Sequence, residues 1–204
     1  MFTTSNPERI NEAVDVVNGR INDEMRGVLN EDFTKAEVFY AAKNLKPHAA
    51  PGPNGMLAIL FQKYWSIVGR EVNSFALNVL NNGADPGGVN HTFACLIPKK
   101  KKPKMASDFR PISLCNVIYK IISKTIANRM KIILPDIIGK FQSAFVPGRL
   151  ITDNALLAFE SFHWMRKKKR GKHGGVGIKL VMAKEYDRIE WNFLIAVLES
   201  MGFP

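Results

Sequence analysis

The sequence predicts a mixed α/β domain that is rich in helices and contains a few short strands. Apolar side chains recur at helical spacing through much of residues 7–81 and again through residues 116–134. Three shorter segments, near residues 92–98, 109–114 and 175–183, have the apolar or alternating character of strands. The chain has 204 residues, of which 46% are hydrophobic, so it is long enough to bury a core.

Two helices are predicted at the start of the chain. Asn6 and Pro7 suit the capping position and the first position of a helix that extends to about Leu29. Thr34 and Glu37 have the spacing of a capping box, in which each side chain accepts a hydrogen bond from the other residue's backbone. This box predicts a second, shorter helix.

A loop and two more helices follow. Residues 46–55 contain three prolines and two glycines, which predict a series of turns, although a plain linker is the alternative. Apolar spacing then predicts one helix over residues 56–65 and another over residues 66–80. Asn82 and Gly83 are suited to end the second of these helices.

Positive charge is concentrated in the middle of the chain. The formal net charge is +11, and residues 91–150 carry 12 basic and two acidic side chains. A solvated loop is the usual explanation of a lysine run, but the uneven distribution of charge indicates a polyanionic partner. The run that follows the strand at residues 92–98 consists of Lys99, Lys100, Lys101, Lys102 and Lys104.

The helix predicted after this region has an apolar side and a basic side. Asn116 suits its capping position, and Pro135 is expected to end it. Packing in a core explains the apolar side, while the basic side is either solvated or follows a phosphate backbone. The basic residues are Lys120, Lys124, Arg129 and Lys131.

A second basic run precedes the last predicted strand. Six of the seven residues in 166–172 are basic. A solvated loop is the simplest interpretation, a nuclear-localisation-like signal is an alternative, and phosphate contact is compatible with a loop. The strand near 175–183 leads to a helix predicted over residues 191–201, for which Asp187 and Glu190 have capping spacing.

The remaining composition excludes several classes of site. Cys95 and Cys115 lie in apolar surroundings without metal-ligand spacing, so buried free thiols in a reducing compartment are expected. The start of the chain is polar, and no apolar run approaches about 18 residues. We therefore expect an intracellular protein, nuclear or cytoplasmic and not secreted, with no membrane contact. The sequence does not indicate an oligomeric state.

Five segments, in this order, resemble blocks of the reverse transcriptase domain of LINE-type (non-LTR) plant retrotransposons. The last one, KLVMAKEYDRIEW, is similar to the family's motif A, which reads close to KLDMSKAYDRVEW. Within the first, Asn54 replaces the family's aspartate. The five segments are KPHAAPGPNG at 46–55, LIPK at 96–99, DFRPISLCN at 108–116, FQSAFVPGR at 141–149 and KLVMAKEYDRIEW at 179–191.

The resemblance implies part of a right-hand polymerase fold, with helix-rich fingers and the first palm strand. Residues 1–50 would be a helical lead-in, residues 51–174 a fingers-like region, and residues 175–204 the start of the palm. The chain would then be an N-terminal fragment, truncated after the motif A strand and helix.

The resemblance also implies roles for particular residues. In the family, a lysine and an arginine on neighbouring finger strands grip the triphosphate of the incoming nucleotide, and Lys99 and Arg110 match them. Tyr186 matches the aromatic residue that packs under the sugar. Contacts with an RNA or DNA template-primer are expected, from the resemblance and from charge, at Lys100, Lys101, Lys102, Lys104, Gln142, Arg149, Lys167, Lys168, Lys169 and Arg170.

One difference from the family concerns catalysis. Val181 stands where the family has the aspartate that holds the catalytic Mg²⁺ ions, and valine supplies no oxygen ligand. No catalytic residue is then intact, no metal or other cofactor is expected in this chain, and deoxynucleotide binding would be weak if it occurs. Three interpretations remain: a fragment of an RNA-directed DNA polymerase without activity of its own, which we favour, a non-enzymatic basic nucleic-acid-binding module, and a helical protein-interaction module.

Overall fold

The computed structural model describes residues 10–167, 176–181 and 188–204, and in these ranges the fold is mixed α/β, as predicted. None of the helices in these ranges has the length and apolar character needed to cross a bilayer. The strands are β1 (Thr92–Pro98) and β2 (Phe109–Cys115). The helices are α1 (Ile10–Val14), α2 (Asp23–Asn30), α3 (Lys35–Lys43), α4 (Ala58–Lys63), α5 (Trp65–Asn82), α6 (Val117–Ile137), α7 (Ile151–Lys167) and α8 (Trp191–Met201).

Contacts divide the chain into two units, which are described separately. One unit is residues 31–130, and the other consists of the described residues within 1–30 and 131–204. Helix α6 contributes residues to both. The division into a lead-in, a fingers-like region and a palm start stays a prediction.

The core of residues 31–130 lies between α3, α4, α5 and the start of α6. Helix α3 begins with the predicted capping box: the Glu37 N–H donates to Thr34 Oγ1 at 3.3 Å, and the Thr34 N–H donates to Glu37 Oε2 at 2.9 Å. Helix α5 ends at Gly83, whose φ of 66° is in the left-handed region that favours glycine. The buried core residues are Val38, Ala41, Ala42, Ala58, Phe61, Val72, Ala76, Val117, Ile121 and Ile122.

Arg129 is buried, although the sequence predicted it on the basic side of α6. Its side chain is 5% exposed, and its guanidinium donates to both carboxylate oxygens of Glu37 at 2.9 Å. It also donates to the carbonyl oxygens of Glu31 and Asp32, and it lies 3.6 Å from the centre of the Phe33 ring. The prediction is wrong because oxygen atoms before and within α3 satisfy the donors that burial removes from water.

The same contacts act on the carboxyl group of Glu37. Burial raises its pKa, but the hydrogen bonds from the Thr34 backbone and from Arg129 outweigh this effect, so the pKa lies below its ordinary value. Glu37 is therefore ionised at neutral pH, and its negative charge stabilises the first turn of α3.

The β1–β2 hairpin is an antiparallel two-stranded sheet whose faces are largely exposed. Cys95 lies opposite Ile112 near its centre, while Phe93 and Leu96, on opposite faces of β1, are 54% and 59% exposed. Both thiols are free, but Cys95 is exposed and Cys115 is half-buried. The predicted burial is wrong for Cys95, because in the part of the chain that the structure describes no layer covers the face of the sheet on which it lies. Cys115, at the base of the sheet, is buried only in part.

The first predicted helix is interrupted in the second unit. Gly19 has a φ of 65°, and the N–H groups of Gly19 and Ile21 each donate to a carbonyl at the end of α8, at 2.9 Å. Asn22 Oδ1 then accepts a hydrogen bond from the first turn of α2 at 2.8 Å. Two short helices therefore replace the single predicted one, and its predicted start at Asn6 and Pro7 lies outside the described residues.

Helix α6 passes Pro135, which was predicted to end it. Pro135 lies in the last turn, so the missing N–H costs the helix one backbone hydrogen bond. Ile133 and Ile137 on either side are 3% and 5% exposed, and their burial offsets that loss. Both belong to the core of the second unit, together with Ile21 and Met201.

The strand predicted near residues 175–183 is absent from the part of it that the structure describes, 176–181. Ile178 in this segment is 80% exposed. A strand forms only when a neighbouring segment supplies backbone hydrogen bonds, and no described segment pairs with this one. Gly177 does lie against α7, because a Cβ atom at this position would be 2.6 Å from the ring of Phe162.

Candidate nucleic-acid interface

The β1–β2 hairpin places the two residues predicted to contact a triphosphate near the same end of one sheet. Arg110 lies in β2 opposite Ile97. Lys99 follows two residues after Ile97, and its N–H donates to the Asp108 carbonyl at 2.7 Å. The Lys99 ammonium donates to the Ser107 carbonyl at 2.9 Å, and both cationic residues are exposed. Arginine supplies a planar fork for phosphate oxygens and lysine a mobile point charge, so the pair suits a polyphosphate.

A single carboxylate organises the lysine loop, which we define as residues 99–108 between the strands. Asp108 Oδ1 lies 2.8 Å from Lys100 Nζ, and Oδ2 accepts hydrogen bonds from the N–H groups of Lys104 and Met105 at 2.8 and 3.0 Å. The Lys100 hydrogen bond, followed by these two backbone bonds and the charge of Lys99, holds the pKa of Asp108 below its ordinary value. The carboxylate is therefore charged throughout the physiological range.

The sequence prediction did not include Asp108 among the site residues. It is the one acidic residue between positions 86 and 135, and this isolation within a basic region is the signal that could have identified it. Lys101 and Lys102 are exposed, and within the described residues neither forms an ion pair. The lysine loop thus combines an internal ion pair with lysines whose charge is not neutralised.

The base of the hairpin is anchored by the buried side chain of Asn116, between β2 and α6. Its Oδ1 accepts a hydrogen bond from the Asn54 N–H at 3.2 Å, and its Nδ2 donates to the carbonyls of Val89 and His91 at 3.2 and 3.4 Å. Its own carbonyl accepts the first helical bond of α6, from the Lys120 N–H at 3.1 Å. The predicted capping residue thus also joins two neighbouring loops to the hairpin.

The loop of residues 46–55 packs on the same junction. Gly52 is buried there, and a Cβ atom would lie 2.4 Å from the Asn116 nitrogen and 2.6 Å from the Cys115 oxygen. The Lys120 ammonium donates to the Ala50 carbonyl at 2.9 Å. This close backbone approach requires glycine, so the loop is a packed part of the site and not a plain linker.

Arg149, predicted to contact nucleic acid, caps the end of α6. Its guanidinium donates to the carbonyl oxygens of Pro135 at 2.9 Å, Ile138 at 3.0 Å, Gly139 at 2.6 Å and Gln142 at 2.7 Å. Carbonyls at a helix C-terminus lack helical partners and carry partial negative charge, so a guanidinium stabilises them. These bonds favour a structural role for Arg149, and contact with nucleic acid stays a prediction for it and for the exposed Gln142.

The other basic run is only partly described. Lys167 ends α7 and is exposed. The neighbouring predicted contacts, and the aromatic residue predicted to pack under the sugar, lie outside the described residues; they are Lys168, Lys169, Arg170 and Tyr186.

The chemistry of Val181 does not fit a magnesium site. Its side chain is 76% exposed and has no oxygen, whereas Mg²⁺ takes oxygen ligands, mainly from carboxylates. Among the residues that the structure describes, no three carboxylate, histidine or cysteine side chains are grouped closely enough to hold a metal ion. Glu185 and Asp187, the nearest acidic residues along the chain, lie outside those residues.

Two comparisons with known proteins bear on this interface. Residues 97–204 match the family model of the reverse transcriptase (RNA-dependent DNA polymerase). The chain is also similar to a protein of Xenopus laevis called transposon TX1 uncharacterized 149 kDa protein, with 27% identity over 183 residues. That match covers 90% of this chain and 14% of the Xenopus protein. The matched family region begins in β1 and includes the lysine loop and β2.

Proposed function

Because the chain belongs to the reverse transcriptase (RNA-dependent DNA polymerase) family, we propose that it is a nucleic-acid-contacting part of a LINE-type retrotransposon polymerase. The observation that carries this proposal is the hairpin, which brings Lys99, Arg110 and the lysine loop together on exposed backbone. The similarity to a protein named for a transposon supports the retrotransposon origin.

In this proposal the hairpin binds phosphate groups in two ways. Arg110 forms paired hydrogen bonds with phosphate oxygens of a nucleotide, and Lys99 exchanges its bond with the Ser107 carbonyl for a bond with the same polyphosphate. Lys101, Lys102 and Lys104 neutralise phosphates of a template or primer strand and release the counterions bound to it. Affinity for nucleic acid then falls steeply with salt, whereas affinity for the nucleotide depends on the geometry of two particular residues.

We expect no polymerase activity from this chain. Two-metal phosphoryl transfer requires convergent carboxylates, and Val181 supplies none at the position where the family has its aspartate. The function that remains is binding: the chain binds a template-primer, and it binds a deoxynucleotide only weakly.

A matched pair of double variants tests the hairpin assignment. Lys99→Ala with Arg110→Ala removes the two predicted triphosphate contacts, while Lys63→Ala with Arg70→Ala removes the same residue types from exposed positions on α4 and α5. Binding of a deoxynucleoside triphosphate is measured by NMR chemical-shift changes. The Lys99→Ala, Arg110→Ala variant should bind it about tenfold more weakly, which corresponds to roughly 1.4 kcal/mol. The control pair should change binding by less than about twofold. Equal losses from both pairs would reduce the site to diffuse charge.

The salt dependence of binding distinguishes nucleic-acid contact from a protein-interaction role. Fluorescence anisotropy with labelled single-stranded RNA should give a slope of log affinity against log salt of about −2 if Lys101, Lys102 and Lys104 each contact a phosphate. The Lys101→Ala, Lys102→Ala variant should lower the magnitude of the slope by about 1.4. An affinity that does not change with salt would contradict phosphate contact.

A further inference from the structure

We propose that Asp108 is a positioning residue, which holds the lysine loop in a phosphate-binding conformation, so that this acidic side chain increases affinity for a polyanion. The proposal rests on the proposed function of the hairpin and adds a residue to it. It concerns how the loop is held before any ligand arrives.

The contacts of Asp108 extend across most of the loop. Its carboxylate bonds the side chain of Lys100 and the backbone N–H groups of Lys104 and Met105. Its own backbone closes the loop, because its N–H donates to the Met105 carbonyl at 2.9 Å and its carbonyl accepts from the Lys99 N–H at 2.7 Å. One residue therefore contacts the loop near both ends.

The charges of the loop explain why such a contact is needed. Five lysines within six residues repel one another, and repulsion extends a chain that has no regular structure. A central carboxylate offsets that repulsion and holds the backbone in one conformation. The exposed cations Lys101, Lys102 and Lys104 are then presented on an ordered loop, so binding a phosphate strand does not have to order the loop first.

The opposite expectation follows from net charge alone. Removing the carboxylate raises the formal net charge from +11 by one unit and removes a group that repels phosphate. Diffuse attraction therefore predicts tighter binding, while positioning predicts weaker binding. Whether removal of the carboxylate weakens or strengthens RNA binding therefore distinguishes positioning from diffuse attraction.

Four variants of the full chain test this on labelled single-stranded RNA at one fixed salt concentration. Asp108→Ala removes every carboxylate contact, and Asp108→Asn keeps a neutral acceptor for the two backbone N–H groups but loses the ion pair. Glu71→Ala is the control, because it also removes one negative charge that is paired with a cation in residues 31–130, at a position outside the loop. Lys101→Ala with Lys102→Ala reports on the proposed function itself.

We expect Asp108→Ala to weaken RNA binding roughly three- to tenfold, because binding must then also order the loop. Asp108→Asn should recover part of that loss, and Glu71→Ala should bind as tightly as the unchanged protein or slightly more tightly. The amide-proton NMR signals of Lys104 and Met105 should move upfield in Asp108→Ala and much less in Asp108→Asn. Both variants should unfold at the same temperature as the unchanged protein.

Each alternative outcome has a definite meaning. Asp108→Ala binding as tightly as the unchanged protein, or more tightly, overturns the positioning role while leaving the proposed function intact. If Asp108→Ala does not fold, Asp108→Asn decides: weaker binding supports the role and equal or tighter binding overturns it. If the unchanged protein does not bind RNA, or if the double lysine variant binds equally well, the proposed function fails and the role of Asp108 fails with it.

Discussion

Replacement of Arg129 by methionine is the most informative stability test, because Arg129 is a buried charge with several partners. Methionine keeps most of the length and apolar volume of the side chain but removes the charge and all of the donors. The carbonyl oxygens of Glu31 and Asp32 then lose a donor, and the Glu37 carboxylate loses its buried partner. The cation–π interaction with the Phe33 ring is also lost.

The size of the effect follows from burial. Removing one partner of a buried ion pair typically costs about 3–5 kcal/mol. The Arg129 side chain is 5% exposed, but that of Glu37 is 34% exposed, so water can solvate part of the carboxylate that remains. We therefore expect the lower end of the range, about 3 kcal/mol. Arg129→Lys should lose roughly half as much, because an ammonium keeps the charge but cannot bond carboxylate and carbonyls together.

The assay is equilibrium unfolding in urea, followed by tryptophan fluorescence. With Trp164 and Trp191 replaced by phenylalanine, Trp65 is the one tryptophan in the chain and reports on residues 31–130. If the free energy of unfolding falls by about 2 kcal/mol per M of urea, Arg129→Met should lower the midpoint by about 1.5 M.

The matched control is the exposed ion pair of Arg70 with Glu71, whose side chains are 92% and 76% exposed. Arg70→Met removes the same groups from the surface and should change stability by less than about 0.5 kcal/mol. If Arg129→Met and Arg70→Met shift the midpoint equally, the buried network does not stabilise this unit and the reasoning is refuted.

Three further predictions concern pH, packing and catalysis. Because the pKa of Glu37 is lowered by folding, this carboxylate stabilises the fold fully above the carboxyl pKa of the unfolded chain, about 4.3, and less as the pH falls below it. The urea midpoint should therefore drop from pH 6 to pH 3, and Glu37→Gln should remove part of that drop. Gly52→Ala should destabilise the fold by about 2–3 kcal/mol, because the added Cβ meets backbone atoms. Gly27→Ala in α2, where nothing lies within 4 Å of the added Cβ, should be neutral or stabilise the fold by up to about 1 kcal/mol. Thermal unfolding that ranks the two variants otherwise would contradict this packing. The chain should not extend a primer with Mg²⁺ or Mn²⁺, and Val181→Asp alone should not confer extension, because one carboxylate does not complete a two-metal site; templated incorporation that persists after repurification would disprove this.

Features with a local signal were the ones that could be predicted from the sequence. Thr34 and Glu37 are three residues apart, and the capping box that they form depends on nothing else. The strands of the hairpin were likewise predictable, because they are short segments of suitable character close together along the chain. The segment 176–181 was not, because a strand depends on a partner that its own residues do not specify.

The charge of Arg129 predicts an exposed side chain, but its position along α6 predicts a buried one, and position decides. Every fourth residue of α6 from its first position forms one buried stripe, and Arg129 lies on it. Its companions on that stripe are Val117, Ile121, Thr125, Ile133 and Ile137. The partners of Arg149 had no such signal, because they are backbone carbonyls, which every residue possesses.

The anchoring of the hairpin at Asn116 has a mechanical consequence. The seven residues of β1 extend about 23 Å at roughly 3.3 Å per residue, with the amide of Asn116 at one end and the lysine loop at the other. A rigid rod of this length, pivoted at its base, amplifies small rotations: a tilt of about 10° at the pivot displaces the far end by about 4 Å. This displacement exceeds the length of a hydrogen bond, so the proposed phosphate contacts at the tip depend on the angle at which Asn116 holds the base of the hairpin.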